Sequence, residues 1–313
     1  MNRNESLYSL AHAGVVDLAI VGGGATGLGV ALDAALRGYS VALLESHDFA
    51  GGTSSRSTKL LHGGVRYLAQ GNVSLVREAL HERQSILAIA PHLAAPLSFV
   101  MPAYAWWKLP FYTIGLKLYD LLAGRAGLGA TEWLSRRETA QALPGVQVRG
   151  LHGGVKYWDA QFDDARLALA IARTARAAGA NVLNHVKVAN LQALEGQSDG
   201  AKWALDWQNQ KGVEQGVLRA KCVVNAAGVW VDDVLAKVKG HVPTRRMVTP
   251  SQGVHLVVDR RFLAGKSALL VPKTTDGRVL FAVPWLGSLI LGTTDTVRDD
   301  APREPLPLEQ EID

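Results

Sequence analysis

The 313-residue chain has a single cysteine, Cys222, which excludes an intrachain disulfide and a cysteine-rich metal site. That fits a reducing compartment without establishing one. No stretch reads as a membrane-spanning helix: the uncharged run from Val279 to Thr294 is broken by Pro284 and Gly287, and the apolar residues 97–122 are punctuated by Pro102 and Pro110. The first fourteen residues are mixed polar and lack the basic-then-apolar order of a secretory signal. His152, His185 and His241 have no metal-ligand spacing to one another, so no metal is predicted. Charged residues make up only 19% and hydrophobic ones 48%, which excludes a disordered chain. The net charge of +5 fits either a mildly basic cytoplasmic protein or an anionic partner: a lipid, a phosphorylated substrate or nucleic acid. Of these, nucleic acid is not expected, because no basic module interleaved with aromatics appears beyond residues 106–112.

What is present begins with a βαβ pattern. Asp17 to Val21 reads as a buried parallel strand, Ala25 to Arg37 as a helix closed by Gly38, and Ser40 to Leu44 as a second strand. Val73, Val76, Leu80 and Leu87 stand at helical spacing, with Arg77, Glu82 and Arg83 among the other positions; an amphipathic helix over 73–90 follows. Ser135 and Glu138 have capping-box spacing for a short helix. Asp163 or Asp164 can cap a helix that runs to Ala178 and closes at Gly179. Residues 180–224 and 252–292 read as clusters of short strands, and 299–313 as a Pro- and Glu-rich tail. The fold class expected is α/β (α+β), a doubly wound nucleotide-binding domain interleaved with a mixed or antiparallel sheet domain. The boundaries expected are 14–95 and 160–238 for the first, 96–159 and 239–298 for the second.

Gly22, Gly24 and Gly27 form a GxGxxG string between a strand and a helix, the context in which that string binds a dinucleotide. Gly22 permits the tight turn, Gly24 a close approach to pyrophosphate, and Gly27 helix–strand packing. The helix N-terminus then offers free N–H groups to the phosphates. Glu45 ends the second strand, where a carboxylate grips ribose hydroxyls and disfavours a 2′-phosphate. These residues alone leave NAD and FAD open. The loop that follows, with Thr53, Ser54, Ser55, Ser57, Lys59, His62, Gly63 and Gly64, is rich in hydroxyls and glycines where a nicotinamide-binding unit would usually enter another helix. It suits a flavin dinucleotide. Ala226 and Gly228, at the end of a further strand, fit close approach to the adenosine half.

The strings GGGATGLGVALDAALRGYSVALLE, TSSRSTKLLHGGVRYL, DDARLALA, NAAG and PW with LGTTD resemble FAD-dependent glycerol-3-phosphate dehydrogenases, within the amino-acid-oxidase-like flavoproteins. The resemblance spans 17 to about 297. Arg56 stands where that family would carry a smaller residue. Two later family strings, one like SGVRPL and one like GGK-T, do not occur. On that ground 299–313 reads as a truncated tail and the chain as an N-terminal part, expected to be inactive or nearly so.

The resemblance implies FAD as cofactor, oxidation of sn-glycerol 3-phosphate to dihydroxyacetone phosphate, and electrons passed to quinone or another acceptor. It implies His255 as the active-site base, and Arg66 with Tyr67 as the phosphate reader; by residue type a guanidinium and a phenol suit a dianion. Lys59 serves pyrophosphate or solvent, His62 the flavin or the turn, and Thr294 and Asp295 line the substrate site or merely end a strand. Trp106, Trp107, Lys108, Phe111 and Tyr112, followed by Lys117 and Arg125, form an aromatic and cationic patch that fits either an anionic membrane surface or a substrate-domain core. The family resemblance adds peripheral attachment to the inner face of the cytoplasmic membrane and allows a homodimer. The alternatives are another FAD-dependent amino-acid or hydroxy-acid oxidoreductase of the same fold, or a catalytically silent flavin-binding fragment.

Overall fold

The structure, a computed structural model, describes residues 2–69, 71–242, 244–274 and 277–312. They form two compact units, one of residues 1–57, 164–250 and 297–305, the other of 58–163, 251–296 and 306–313.

The first unit is built on a six-stranded sheet in the order Asn181–Leu183, Val41–Leu44, Val15–Val21, Gln215–Asn225, Trp203–Asn209, Val186–Ala193. The first four strands pair in parallel and the last two return antiparallel. Val41–Leu44 is buried at every position, as a parallel strand covered on both faces must be. The helix Ala25–Leu36 follows the first strand and buries Leu28, Ala31 and Ala34 against Ile20 and Leu43. Removing Leu28 from water contributes roughly 1.5–3 kcal/mol. Gly38 has φ +86°, the left-handed conformation that ends this helix. On the same side lies the helix Asp164–Ala177, followed by Gly179 at φ +101°. The opposite face is closed by Trp207, Leu205 and Leu218, with Leu7 and Leu10 from the helix Arg3–Ala11. That first helix is capped by Asn2 and Glu5, a capping box that was not foreseen because the segment has almost no apolar face.

The second unit is built on an eight-stranded mixed sheet. Its path is His255–Asp259, Ser288–Gly292, Leu280–Trp285, Ala268–Val271, Ala94–Ala103, Gly153–Phe162, Leu60–Leu61, with Glu132–Ser135 also paired to Gly153–Phe162. Ala94–Ala103 runs antiparallel to Gly153–Phe162 from Ala94↔Phe162 to Ala103↔Gly153, and parallel to Ala268–Val271. The mixed sheet expected of the interleaved half is thus present in addition to the parallel one. Residues 97–122 resolve into the end of a strand and the helix Lys108–Ala123. Pro110 falls in the first turn of that helix, where a missing N–H breaks no intrahelical bond. The helix Val73–Ile89 buries Val76 and Leu80 against Tyr119. Its Arg83, read as part of the polar face, is 2% exposed.

Candidate functional site

At the carboxyl ends of the parallel strands of the first unit lies a cavity of about 680 Å³. This is where open α/β sheets bind ligands. Gly22, Gly24, Glu45, Thr53, Ser54, Ala226 and Gly228 all line it. Gly22 has φ +112°, and a Cβ there would run into the Ala226 carbonyl. A Cβ on Gly27 would strike the Gly22 carbonyl, and one on Gly24 would sit 3.0 Å from Ser54 Oγ. Gly22 and Gly27 therefore keep main chain close to main chain, and Gly24 leaves room for the Ser54 hydroxyl, at the mouth of a helix whose N–H groups suit a pyrophosphate.

Glu45 is 9% exposed and lies at the strand end. Its Oε2 accepts from Gly23 N–H at 2.7 Å and its Oε1 from His47 N–H at 2.7 Å. The carboxylate thus braces the glycine turn it faces. A carboxylate offers about four acceptor positions, so two backbone bonds leave capacity for ribose hydroxyls. Gly23 was missed in the sequence; a Cβ there would come within 2.7 Å of Glu45 Cβ. Ser54 Oγ accepts from Ala25 N–H at 2.9 Å and caps the helix entrance. Ser55 and Ser57 are not among the lining residues; Ser57 Oγ donates to Asp164 Oδ2 at 2.7 Å and so fastens the loop to the neighbouring helix.

The cavity also has a rim that the sequence did not reveal. Lys187, Lys237, Trp230 and Arg303 line it. Burial lowers the pKa values of Lys237 and Arg303, and nearby Lys187 lowers that of Lys237 further. His47 is also held below its ordinary range, first by burial and then by the charge of Arg303.

In the second unit, His255 opens its strand opposite Gly292, where a Cβ would come within 2.6 Å of the imidazole. Its Nε2 hydrogen-bonds Thr58 Oγ1 at 2.9 Å. Burial, with the Lys59 charge, holds its pKa below the usual histidine range, which favours the neutral ring. Thr294 Oγ1 accepts from Val254 N–H at 2.9 Å and donates to Glu311 Oε1 at 3.2 Å, while Asp295 is exposed. Lys59 has φ +62° and its carbonyl accepts from Phe162 N–H.

The His62–Gly64 turn rests on a buried polar cluster. Gly63 N–H donates to Tyr119 Oη at 2.8 Å; Tyr119 Oη donates to Asp159 at 3.0 Å; Asp159 pairs with Arg83 at 2.6 Å. Arg83 donates further to the Ala126 carbonyl at 2.7 Å. Burial raises the Asp159 pKa against the pull of Arg83, and burial together with the Asp159 charge drives the Tyr119 hydroxyl far above its ordinary range. A Cβ on Gly63 would displace Tyr119 Oη and Leu80, and Gly64 takes φ +73° against the Tyr67 ring. His62 and Tyr67 are exposed. The backbone of Arg66 belongs to the helix Val65–Ala69, but its side chain lies outside the described residues. Among the described residues no group of three or more His, Cys, Asp or Glu is placed to hold a metal.

The model of the family described as FAD dependent oxidoreductase matches residues 17–313. The chain is 43% identical over 321 residues to the mitochondrial glycerol-3-phosphate dehydrogenase of Homo sapiens, which covers 99% of this chain and 44% of the relative. It is 39% identical over 343 residues to the corresponding protein of Saccharomyces cerevisiae, with 100% and 52% covered. The chain thus spans 44% and 52% of the length of these two relatives. Among solved structures, the glycerol-3-phosphate dehydrogenase of Bacillus halodurans complexed with FAD superposes with a TM-score of 0.75 at 32% identity, covering 99% of this chain and 53% of the other. A glycine oxidase of Geobacillus kaustophilus, at 20% identity and a TM-score of 0.62, shares the fold.

Proposed function

Because the chain belongs to the FAD dependent oxidoreductase family, and FAD is therefore its cofactor, we propose that it is the FAD-binding and substrate-oxidising part of an enzyme that converts sn-glycerol 3-phosphate to dihydroxyacetone phosphate. The observation that carries this reading is the cavity formed by Gly22, Gly24, Glu45 and Ala226 at the strand ends. It fits FAD, since any Cβ at Gly22 would fill the space beside the Ala226 carbonyl. Gly22, Gly24, Gly27, Glu45, Thr53, Ser54, Ala226 and Gly228 hold the dinucleotide. When bound, FAD supplies the two-electron acceptor for alcohol oxidation.

His255 takes the proton from the C2 hydroxyl. Its lowered pKa keeps the imidazole free to accept at pH 7, and Thr58 fixes the ring through Nε2. Arg66 and Tyr67 read the phosphate dianion, and the cluster beneath Gly63 holds their turn. In a full-length enzyme that carries this chain, anaerobic mixing with glycerol 3-phosphate tests the reading: flavin absorbance bleaches, and unphosphorylated glycerol bleaches it far more slowly. Arg66→Ala raises KM for glycerol 3-phosphate but hardly for glycerol; equal effects on both would remove Arg66 from the phosphate site.

The helix Lys108–Ala123 favours a membrane as the place of work. Leu109, Leu116 and Tyr119 are buried on one side, whereas Trp107, Phe111, Ile114, Leu118 and Leu121, spaced four and three apart, are exposed on the other. Lys108, Lys117 and Arg125 flank that stripe. An exposed apolar helix face rimmed by cations suits the interface of an anionic leaflet, where a quinone would accept the electrons. No helix among the described residues is long and apolar enough to cross a membrane. Sedimentation with anionic vesicles tests this, Phe111→Glu with Leu118→Glu being expected to abolish it.

A further inference from the structure

Arg56 is the residue that departs from the family string, and in the structure it has a defined partner. Its Nη2 donates to Glu304 Oε1 at 2.9 Å and to Oε2 at 3.0 Å, and its Nη1 to the Arg303 carbonyl at 3.3 Å. The next residues along the same segment are fastened as well. Trp230 Nε1 donates to the Ala301 carbonyl at 2.7 Å. The Arg303 guanidinium lies 3.7 Å from the centre of the Trp230 ring and donates to Ser46 Oγ at 3.3 Å. The Trp230 ring also meets Gly52, where a Cβ would come within 2.9 Å. Ala301, Arg303, Trp230, Gly52, Ser46 and Glu45 all line the cavity.

We infer that residues 301–304 are a strap across the Glu45 end of the cavity, latched by Arg56 and Glu304, which slows the release of the adenosine half of FAD. The inference rests on the cofactor reading above. Its physical basis is that these contacts tie three stretches, 46–56, 230 and 301–304, to one another at the cavity. A guanidinium stacked on Trp and partly desolvated is held by cation–π attraction, and its position beside Glu45 and Ser46 puts a planar cation where the ribose and adenine would leave. Gly52 is what lets the Trp230 ring approach the loop this closely, since a Cβ there would come within 2.9 Å of Trp230 Cζ3. A smaller residue at position 56 would leave Glu304 without its latch.

FAD dissociation from the 313-residue chain, followed by flavin fluorescence after dilution into excess apoprotein scavenger, tests the strap. Arg303→Ala is expected to speed release about tenfold, the range open to a lost cation–π contact. Arg56→Ser and Glu304→Gln, both at the surface and remote from the glycine turn, are expected to speed it about threefold each, as weak exposed ion pairs do. The charge-exchanged pair Arg56→Glu with Glu304→Arg is expected to restore release to within about twofold, since the Coulomb attraction is the same with signs reversed. Added salt is expected to speed release from the parent toward the Glu304→Gln rate and to leave that variant nearly unchanged. FAD bound by the parent but released at the same rate from all single variants would overturn the strap alone. A parent chain that binds no FAD would overturn the cofactor reading and the strap with it.

Discussion

The two units assemble their candidate residues in opposite ways. In the first, the turn from Gly22 to Gly27 and the strand end at Glu45 are at most 22 residues apart where they bond, and main-chain N–H groups of a tight glycine turn meet a carboxylate. In the second, His255 meets Thr58 across 197 residues, Arg83 meets Asp159 across 76, and Tyr119 meets Gly63 across 56. There the working groups are side chains, and strand order decides which of them meet. A backbone cradle is sensitive to added atoms at glycines and forgiving elsewhere. A buried side-chain cluster is sensitive to the loss of any one partner.

The sharpest way to separate the two is to break the cluster. Arg83→Ala leaves Asp159, 1% exposed, without its guanidinium partner, and is expected to cost about 3–5 kcal/mol of stability. Replacing both members with Met and Leu should recover most of it, because two charges then escape desolvation. Denaturant midpoints check both. A cost below about 1 kcal/mol for the single change, the range of an exposed pair, would mean that the cluster is not the buried anchor described.

Next is the chemistry. His255→Ala should slow anaerobic flavin reduction by about 100-fold or more, the size of a general-base contribution, while flavin content stays near that of the parent. Unchanged reduction at saturating substrate would return His255 to a packing role. Tyr119→Phe keeps the ring and removes both the nearer acceptor for Gly63 N–H, which retains Asp159 Oδ1 at 3.4 Å, and the hydroxyl donor to Asp159. It should cost about 1–3 kcal/mol, the penalty for weakened buried hydrogen bonds, and should raise KM more than it changes flavin content. An equal fall in flavin content would place the turn in the cofactor site.

The smallest effect concerns pH. Protonation of His255 removes the base, so reduction should fall as pH drops through a pKa that burial and Lys59 hold below the ordinary histidine range. Removing the charge with Lys59→Gln should move that limb toward higher pH, because a nearby cation disfavours the imidazolium. A limb that does not move would exclude Lys59 from the surroundings of His255.

The contrast also explains what could be read from the sequence. The Val15–Val21 strand, the helix after it and Glu45 were legible because each is specified within a few residues by apolar runs and glycines. The capping box at Ser135 was legible for the same reason and is present with both of its bonds. Arg83 was not: at helical spacing it looks like one more charge on a polar face, and only the strand carrying Asp159 makes burial favourable. Trp230, Lys187 and Arg303 reach the cavity from three separate stretches, and nothing local marks them. Arg56 stood out as a departure, yet its partner Glu304 is 248 residues away.

The central claim is that Gly24 and Glu45 hold FAD, and flavin stoichiometry measures it most directly. The account predicts that the chain purified with excess FAD retains about one flavin per molecule, whereas Gly24→Val, which pushes a side chain into Ser54 and the phosphate approach, and Glu45→Ala, which frees the Gly23 turn, emerge as apoprotein with the fold intact by circular dichroism. Stoichiometric flavin in both variants would contradict it.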